Sequence, residues 1–328
     1  DYTTDINVDR DILVWDITKG EGESLQELEA YFWQIWNEDC VQIKGGRKKN
    51  SSDISVSEEA DDSEGAESNS KNSNIVNGIP NVENEITDET QEKLSKYEKQ
   101  YQSLEMRYAS LKEKYTDIED YSSWQEDTIP ANKITLVNNG THAGPKTPLV
   151  LQTIRYLAQN AENVTIQTPY VICNGYMYDT LNEIASHAQL KIILNAVEKG
   201  SNPWGCTDYL NQKKKILNTG ADVYELMNEV PVHTKAVLLD DRLSIVGSYN
   251  LDMRSTYLDT ELMLVIDSKE LNQQIQFTEG TYIEKSKEVL SNGQETEGAQ
   301  YETKVLNWQK KLFYGVLRII IRPLRQLL

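Results

Sequence analysis

His233-Thr234-Lys235 places an imidazole and an ammonium two residues apart inside strand-like text, a spacing found nowhere else in the chain. Side chains alternate along an extended strand, so His233 and Lys235 share one face, continued by Val237 and Leu239, while Ala236 and Leu238 take the other. Gly247-Ser248-Tyr249-Asn250 follows a second short apolar run and adds a hydroxyl and an amide. A phosphodiester is an anion, so a nucleophile that attacks its phosphorus needs that charge met by a cation and by hydrogen-bond donors. Lys235 is suited to be the cation, and Ser248 and Asn250 the donors. His233 can attack phosphorus as a neutral imidazole, or protonate the leaving oxygen as an imidazolium, because histidine changes charge near neutral pH. One such pair does half of a two-step transfer.

The text around this pair predicts an α/β layer. β-Branched runs at Lys133 to Val137, Val164 to Thr168, Lys191 to Asn195 and Val223 to Leu226 alternate with helical stretches near Pro148 to Gln159, Met177 to His187 and Thr207 to Asn218. That alternation argues for largely parallel strands. Two further strands, Lys235 to Leu239 and Leu243 to Val246, flank an Asp-Asp-Arg turn. Nearer the start, Arg10 to Trp15 reads as a strand, and Ser24 to Trp36 as an amphipathic helix with Ser24 as its N-cap.

The formal charge of −19 is concentrated: residues 51 to 92 hold twelve Asp and Glu against the single Lys71, which leaves the remainder mildly acidic. A polyanion would be repelled, and no basic stripe interleaved with aromatics is present, so nucleic acid is disfavoured as a partner. Residues 45–85 lack periodicity and apolar content and are expected to be a disordered acidic insertion. Residues 86–125 form a helical connector in which Leu94, Tyr97, Tyr101, Leu104, Tyr108, Leu111, Tyr115 and Ile118 recur at spacings of three and four. Two readings stand, a coiled-coil seam and a helix lying on its own domain. Cys40, Cys173 and Cys206 are too scattered for a disulfide framework or a zinc site.

Asp259-Thr260-Glu261 before Leu262 to Val265 matches Asp9-Arg10-Asp11 before Ile12 to Trp15, and a helix follows each. This short repeat suggests two similar halves, with 1–44 the end of the first and 126–292 the second. With no leader-like text at Asp1, the front of the first half is expected upstream. The tail, 293–328, is basic: from Lys304 it holds six Lys and Arg and no acid, with apolar residues at helical spacing. It reads either as an amphipathic helix lying in anionic headgroups, anchored by Trp308, Phe313 and Tyr314, or as a helix docked on the domain.

H-x-K, four residues, Asp240, six residues, G-S-x-N resembles the HKD signature of the phospholipase D superfamily at every specified position. The chain is similar to the bacterial phospholipase D/cardiolipin synthase group outside the acidic insertion. Ile166 to Val171 (I-Q-T-P-Y-V), Tyr224-Glu225 and Asn250 to Glu261 (N-L-D-M-R-S-T-Y-L-D-T-E) support the likeness. The resemblance implies an α/β fold with a mixed sheet flanked by helices, complete in its second half and reduced to a C-terminal remnant in its first. It implies a catalytic set of His233, Lys235, Asp240, Glu261 and Asp11, and a phosphate-binding set of Lys235, Ser248 and Asn250. In the family one histidine forms a phosphohistidine and another serves as general acid and then base.

Asp240 lies beyond the strand and reads as the holder of a turn. Glu261 falls where the family sets a carboxylate against a catalytic histidine ring, and by the repeat Asp11 is its counterpart for the first half. Family members with two motifs need both, and neither His142 nor His187 has a lysine at the right spacing. The missing motif therefore comes from upstream or from a second chain. No cofactor or metal is implied. The expected partners are anionic phospholipid and a membrane surface, the location a bacterial membrane, and the reaction phosphatidyl transfer or hydrolysis. A nuclease of the same family, and a catalytically incomplete membrane-binding protein, are the competing readings.

Overall fold

A computed structural model of the chain describes residues 7–18, 22–38, 88–116 and 120–328. The chain divides into two compact units, residues 1–35 with 122–328, and residues 36–121. The acidic insertion, Cys40 and Ile118 lie outside the described residues.

In chain order the elements are α1 (Glu23–Trp36), α2 (Asp88–Lys114), α3 (Tyr121–Glu126), β1 (Lys133–Asn138), α4 (Leu149–Ala158), β2 (Asn163–Gln167), α5 (Gly175–Ala185), β3 (Gln189–Asn195), α6 (Pro203–Leu217) and β4 (Asp222–Leu226). They continue with β5 (Ala236–Leu239), β6 (Leu243–Gly247), α7 (Met253–Tyr257), β7 (Leu262–Asp267), α8 (Lys269–Glu284), β8 (Ser286–Val289), β9 (Glu295–Glu297) and α9 (Trp308–Ile320), before a closing 3-10 turn, Arg322–Leu327. The nine strands form one mixed sheet in the order β1-β7-β6-β5-β2-β3-β4-β8-β9.

The expectation of largely parallel strands is corrected. Only β2 with β3 and β3 with β4 run parallel, and the other six pairs are antiparallel. A parallel pair needs a crossover of a dozen or more residues, which α5 and α6 provide; β5 and β6 are joined by a three-residue turn that allows only a hairpin. Val237 and Leu239 face the main core with Val164 and Ile166, whereas Ala236 and Leu238 face α8 through Ile275. That split follows the alternation expected from the sequence.

Side chains fix the helix starts. Asn174 accepts from the Met177 amide to cap α5, Asn202 caps α6 beside Pro203, and Ser268 accepts from the Leu271 amide to cap α8. Ser24, expected to be an N-cap, instead lies inside α1 and donates to the Ile134 carbonyl at 2.7 Å, tying α1 to β1. Arg10 to Trp15, expected to be a strand, is extended but enters no ladder; its neighbour Val8 makes a lone parallel bridge to Val232. In the second unit, Tyr97, Tyr101, Leu104, Tyr108, Leu111 and Tyr115 of the a/d stripe are exposed.

Candidate active site

β5 and β6 are antiparallel neighbours with Ala236 opposite Val246, so the residues before β5 and those after β6 meet at one edge of the sheet. This brings His233 and Lys235 together with Ser248 and Asn250. Gly247 makes the close approach possible: a Cβ there would sit 2.1 Å from the Leu262 carbonyl oxygen and 2.9 Å from Met263 Cα, inside the β6–β7 contact. Beyond it, the Ser248 amide donates to Leu262 at 2.9 Å. Ile166 to Val171 runs beside this turn; Thr168 Oγ1 accepts from the Leu251 amide, and Val171 bridges Leu251. Buried Asn195 holds the approach to His233 by accepting from the Val232 amide at 2.9 Å and donating to the Val232 carbonyl at 2.8 Å.

His233 lines a polar cleft of about 110 Å³ with Asn7, Tyr170, Asn195, Ser201 and Asn202. Its Nδ1 lies 2.8 Å from Asp9 Oδ1. The Asp9 carboxylate only accepts, so this hydrogen bond takes the proton of Nδ1, while the Lys235 ammonium, which only donates, meets a ring nitrogen that accepts. The Lys235 ammonium, buried, lies 2.9 Å from both ring nitrogens and donates to the His233 carbonyl at 2.6 Å. Burial favours the neutral amine and pulls Lys235 down to about 8, while Asp9, Glu261 and Asp252 act in the opposite direction. A buried ammonium beside an imidazole suits the binding of a phosphate anion.

Glu261 is buried and accepts from the Ser248 hydroxyl, orienting that donor. Asp11 is exposed, and the carboxylate on His233 is Asp9, two residues earlier. Asp9 was missed because the sequence repeat equates Asp11 with Glu261; the D-x-D text shows that one acid of the two faces the ring only once the bridge to Val232 fixes the register. Asn250 donates to Ser255 Oγ at 3.3 Å, and its Oδ1 is buried without a partner among the described residues. Asp252 follows it, caps α7 and is pushed up to about 6 by burial.

Asp240, expected in the catalytic set, lies apart from the other members of that set. It sits at the opposite end of β5 from His233, with a positive φ of 51°, and its carboxylate accepts from the Glu162 and Asn163 amides at 2.9 and 2.8 Å. It secures the β5–β6 turn against the start of β2. His142 and His187 lie outside the site and contact the Pro145 and Ala158 carbonyls. Cys173 and Cys206 are buried thiols whose ionisation burial opposes, with Cys206 pushed up to about 12. Among the described residues no group of His, Cys, Asp and Glu is arranged to hold a metal ion.

Residues 153–278 match the family described as "Cardiolipin synthase, PLD-like domain". The chain is 31% identical over 153 residues to cardiolipin synthase A of Escherichia coli O157:H7, covering 44% of this chain and 30% of that protein. It is 30% identical over 141 residues to cardiolipin synthase A of Buchnera aphidicola, covering 42% and 27%. The chain thus spans about three-tenths of the length of these relatives. Among solved structures, phosphatidylserine synthase of Haemophilus influenzae aligns with a TM-score of 0.44 at 17% identity, over 61% of this chain and 49% of that one. Nuc, a phospholipase D family member from Salmonella typhimurium, aligns with a TM-score of 0.39 at 12% identity, over 51% and 99%. The chain carries a phospholipase D-like domain. Residues 153–278 are thus similar to the PLD-like domain of bacterial cardiolipin synthases.

Proposed function

We propose that the protein transfers a phosphatidyl group between hydroxyls at an anionic membrane, through a phosphohistidine at an H-x-K site. The reading is carried by one observation: the His233 ring lies between the Asp9 carboxylate, 2.8 Å from Nδ1, and the Lys235 ammonium, 2.9 Å from both ring nitrogens. In the first step a histidine Nε2 attacks phosphorus, the P–N bond forms, and the P–O bond to the departing alcohol breaks as that oxygen takes a proton from an acid. In the second step an acceptor hydroxyl attacks, the P–N bond breaks, and the acceptor's proton passes to the same group, now a base. Lys235, Ser248 and Asn250 meet the charge on the non-bridging oxygens. A lipid alcohol as acceptor makes the enzyme a transferase; water makes it a phospholipase. The second histidine comes from another H-x-K, in the rest of the protein or in a partner chain.

The membrane side of the proposal rests on α9. Tyr314, Leu317 and Ile321 face the domain, with Leu317 and Ile321 buried. Trp308, Leu312, Val316, Ile319 and Ile320 are exposed. At 3.6 residues per turn, the centres of these two faces lie roughly 150° apart. Lys311 and Arg318 lie along one side of the apolar stripe, Arg318 with its guanidinium donating to Asn211, and no acidic residue follows Glu302. A docked helix with a free apolar face and a basic flank suits the headgroup layer of anionic lipid. Among the described residues no helix is long and apolar enough to cross a membrane.

Lipid and nucleic-acid substrates are separated by incubating the full-length protein in EDTA with labelled phosphatidylglycerol vesicles and, in parallel, with DNA. Diphosphatidyl product or phosphatidate without DNA cleavage supports the reading, and DNA cleavage without lipid turnover overturns it.

A further inference from the structure

The 3-10 turn after α9 reads Arg322-Pro323-Leu324 and then Arg325-Gln326-Leu327. A 3-10 helix has three residues per turn, so residues three apart stand in one row. Arg322 and Arg325 form a basic row, Pro323 and Gln326 a second, and Leu324 and Leu327 an apolar third. The first two rows line a cleft of about 390 Å³, whereas the two leucines lie outside it and are exposed. Arg325 holds the turn in place by donating to the fully buried Asp208 carboxylate at 2.6 and 2.9 Å. The Arg254 amide of α7 adds a hydrogen bond to the Leu328 carbonyl at 2.8 Å.

The start of α5, together with α6 and α7, supplies the rest of the cleft. Lys215 of α6 sets its ammonium 5.9 Å from the centre of the Tyr178 ring, and the Tyr178 hydroxyl donates to Gln212. Asn174 uses its side-chain oxygen to cap α5, which leaves its amide N–H groups to donate elsewhere. Among the described residues no Asp or Glu lines this cleft. Asp208 offsets the charge of Arg325, so Lys215 and Arg322 are the cations in excess. Arg322 makes no hydrogen bond or ion pair with any described residue. Two like charges lining one cleft without an acid raise its positive potential, and an anion between them relieves the repulsion.

The surroundings choose among anions. Beside the basic row, Leu324 and Leu327 continue the exposed apolar surface that Ile319 and Ile320 begin on α9. Inorganic phosphate would answer the cations and leave that surface bare. A molecule with a phosphodiester head and apolar chains answers both rows at once. No residue that lines this cleft lines the cleft of His233, although Met253, which lines it, stands three positions after Asn250.

We propose that this cleft is a second lipid site, in which Arg322 and Lys215 hold the phosphodiester of an anionic phospholipid while its acyl chains lie along Leu324, Leu327 and the apolar stripe of α9. The lipid held there is distinct from the one attacked at His233, and it ties α7 and the turn carrying Asn250 to the headgroup layer. The inference rests on the reading of α9 as lipid-facing and not on phosphatidyl transfer.

The chain has five methionines, so 13C-methyl labelling of methionine gives few signals, and that of Met253 is assigned by its loss in Met253→Leu. The full-length protein carrying His233→Ala, to prevent turnover, is titrated with dihexanoyl phosphatidylglycerol below its micelle concentration. Dihexanoyl phosphatidylcholine and inorganic phosphate are titrated in parallel. The Met253 signal should shift saturably with phosphatidylglycerol. Lys215→Gln with Arg322→Gln should raise the Kd at least about tenfold, as expected when two charged donors are lost. Both side chains are exposed, so the melting temperature should not change. A signal that stays still, that moves equally in the double variant, or that moves equally with phosphatidylcholine overturns the proposal. Saturation by inorganic phosphate at the same or lower concentration overturns the lipid as its occupant. Vesicle binding that depends on Leu312 and Ile319, with the Met253 signal unmoved, sinks this site and leaves the reading of α9 standing. A Met253 signal that behaves as stated, with vesicle binding indifferent to Leu312 and Ile319, sinks that reading and supports the site.

Discussion

Replacing Leu312 and Ile319 together with aspartate tests the membrane face of α9 without touching its docked face. The two side chains are 60% and 70% exposed, so folding loses little when they are removed. Burying a Leu or Ile fully is worth about 1.5–3 kcal/mol; scaled to the exposed part, each contributes about 1.6 kcal/mol on entering the lipid boundary. A carboxylate in place of each adds repulsion of roughly 1 kcal/mol at an anionic surface. The pair should therefore weaken binding by roughly 5 kcal/mol, between about three and four orders of magnitude in partition coefficient. Co-sedimentation with phosphatidylglycerol vesicles reads this directly, with the melting temperature measured beside it. The wild type should pellet and the double variant should stay in solution with its melting temperature unchanged. A double variant that pellets like the wild type would refute the assignment of this face to lipid. Deleting residues 304–328 is the poorer test, because it also removes buried Leu317, Ile321 and the Arg325 contact with Asp208.

Four further outcomes follow from the geometry. Since burial lowers Lys235 to about 8, kcat/KM should fall as pH rises through that value, because the ammonium that meets the phosphate is present below it and lost above it; a flat profile from pH 7 to 9 would count against its role. Asp9→Asn should lower kcat by about 10²- to 10⁴-fold with little change in KM, as expected when a base loses its orienting carboxylate. Arg325→Ala strands the fully buried Asp208 carboxylate and should lower stability by about 3 kcal/mol in denaturant titration. Gly247→Ala should cost at least about 2 kcal/mol, since its Cβ would force β6 from β7.

Much of the fold was legible because local pattern and tertiary demand agree. The runs at Ile192 to Asn195 and Val223 to Leu226 are buried throughout because β3 and β4 are covered on both faces. Strand direction was not legible for β5 to β7, since alternation of strand and helix says nothing about a hairpin joined by Asp240 to Arg242. β8 and β9 were missed because Ser286 to Glu297 carries alternating polar residues suited to an edge, with little apolar signal. At the site, the pairing of His233 with Lys235 follows from alternation alone. The partner of His233 does not, because Asp9 lies 224 residues away and is brought to the ring by the Val8–Val232 bridge. The tail posed two alternatives, docked or lipid-facing; α9 is docked along one face, and its exposed face is the one proposed for lipid.

The central claim, that His233 is a reacting group in phosphatidyl transfer, is tested most directly by supplying labelled phosphatidylglycerol to the full-length protein and to its His233→Ala variant, both in EDTA. Diphosphatidyl product from the wild type, absent from a variant that retains its fold, is the result this account expects; product formed at the same rate by His233→Ala would contradict it.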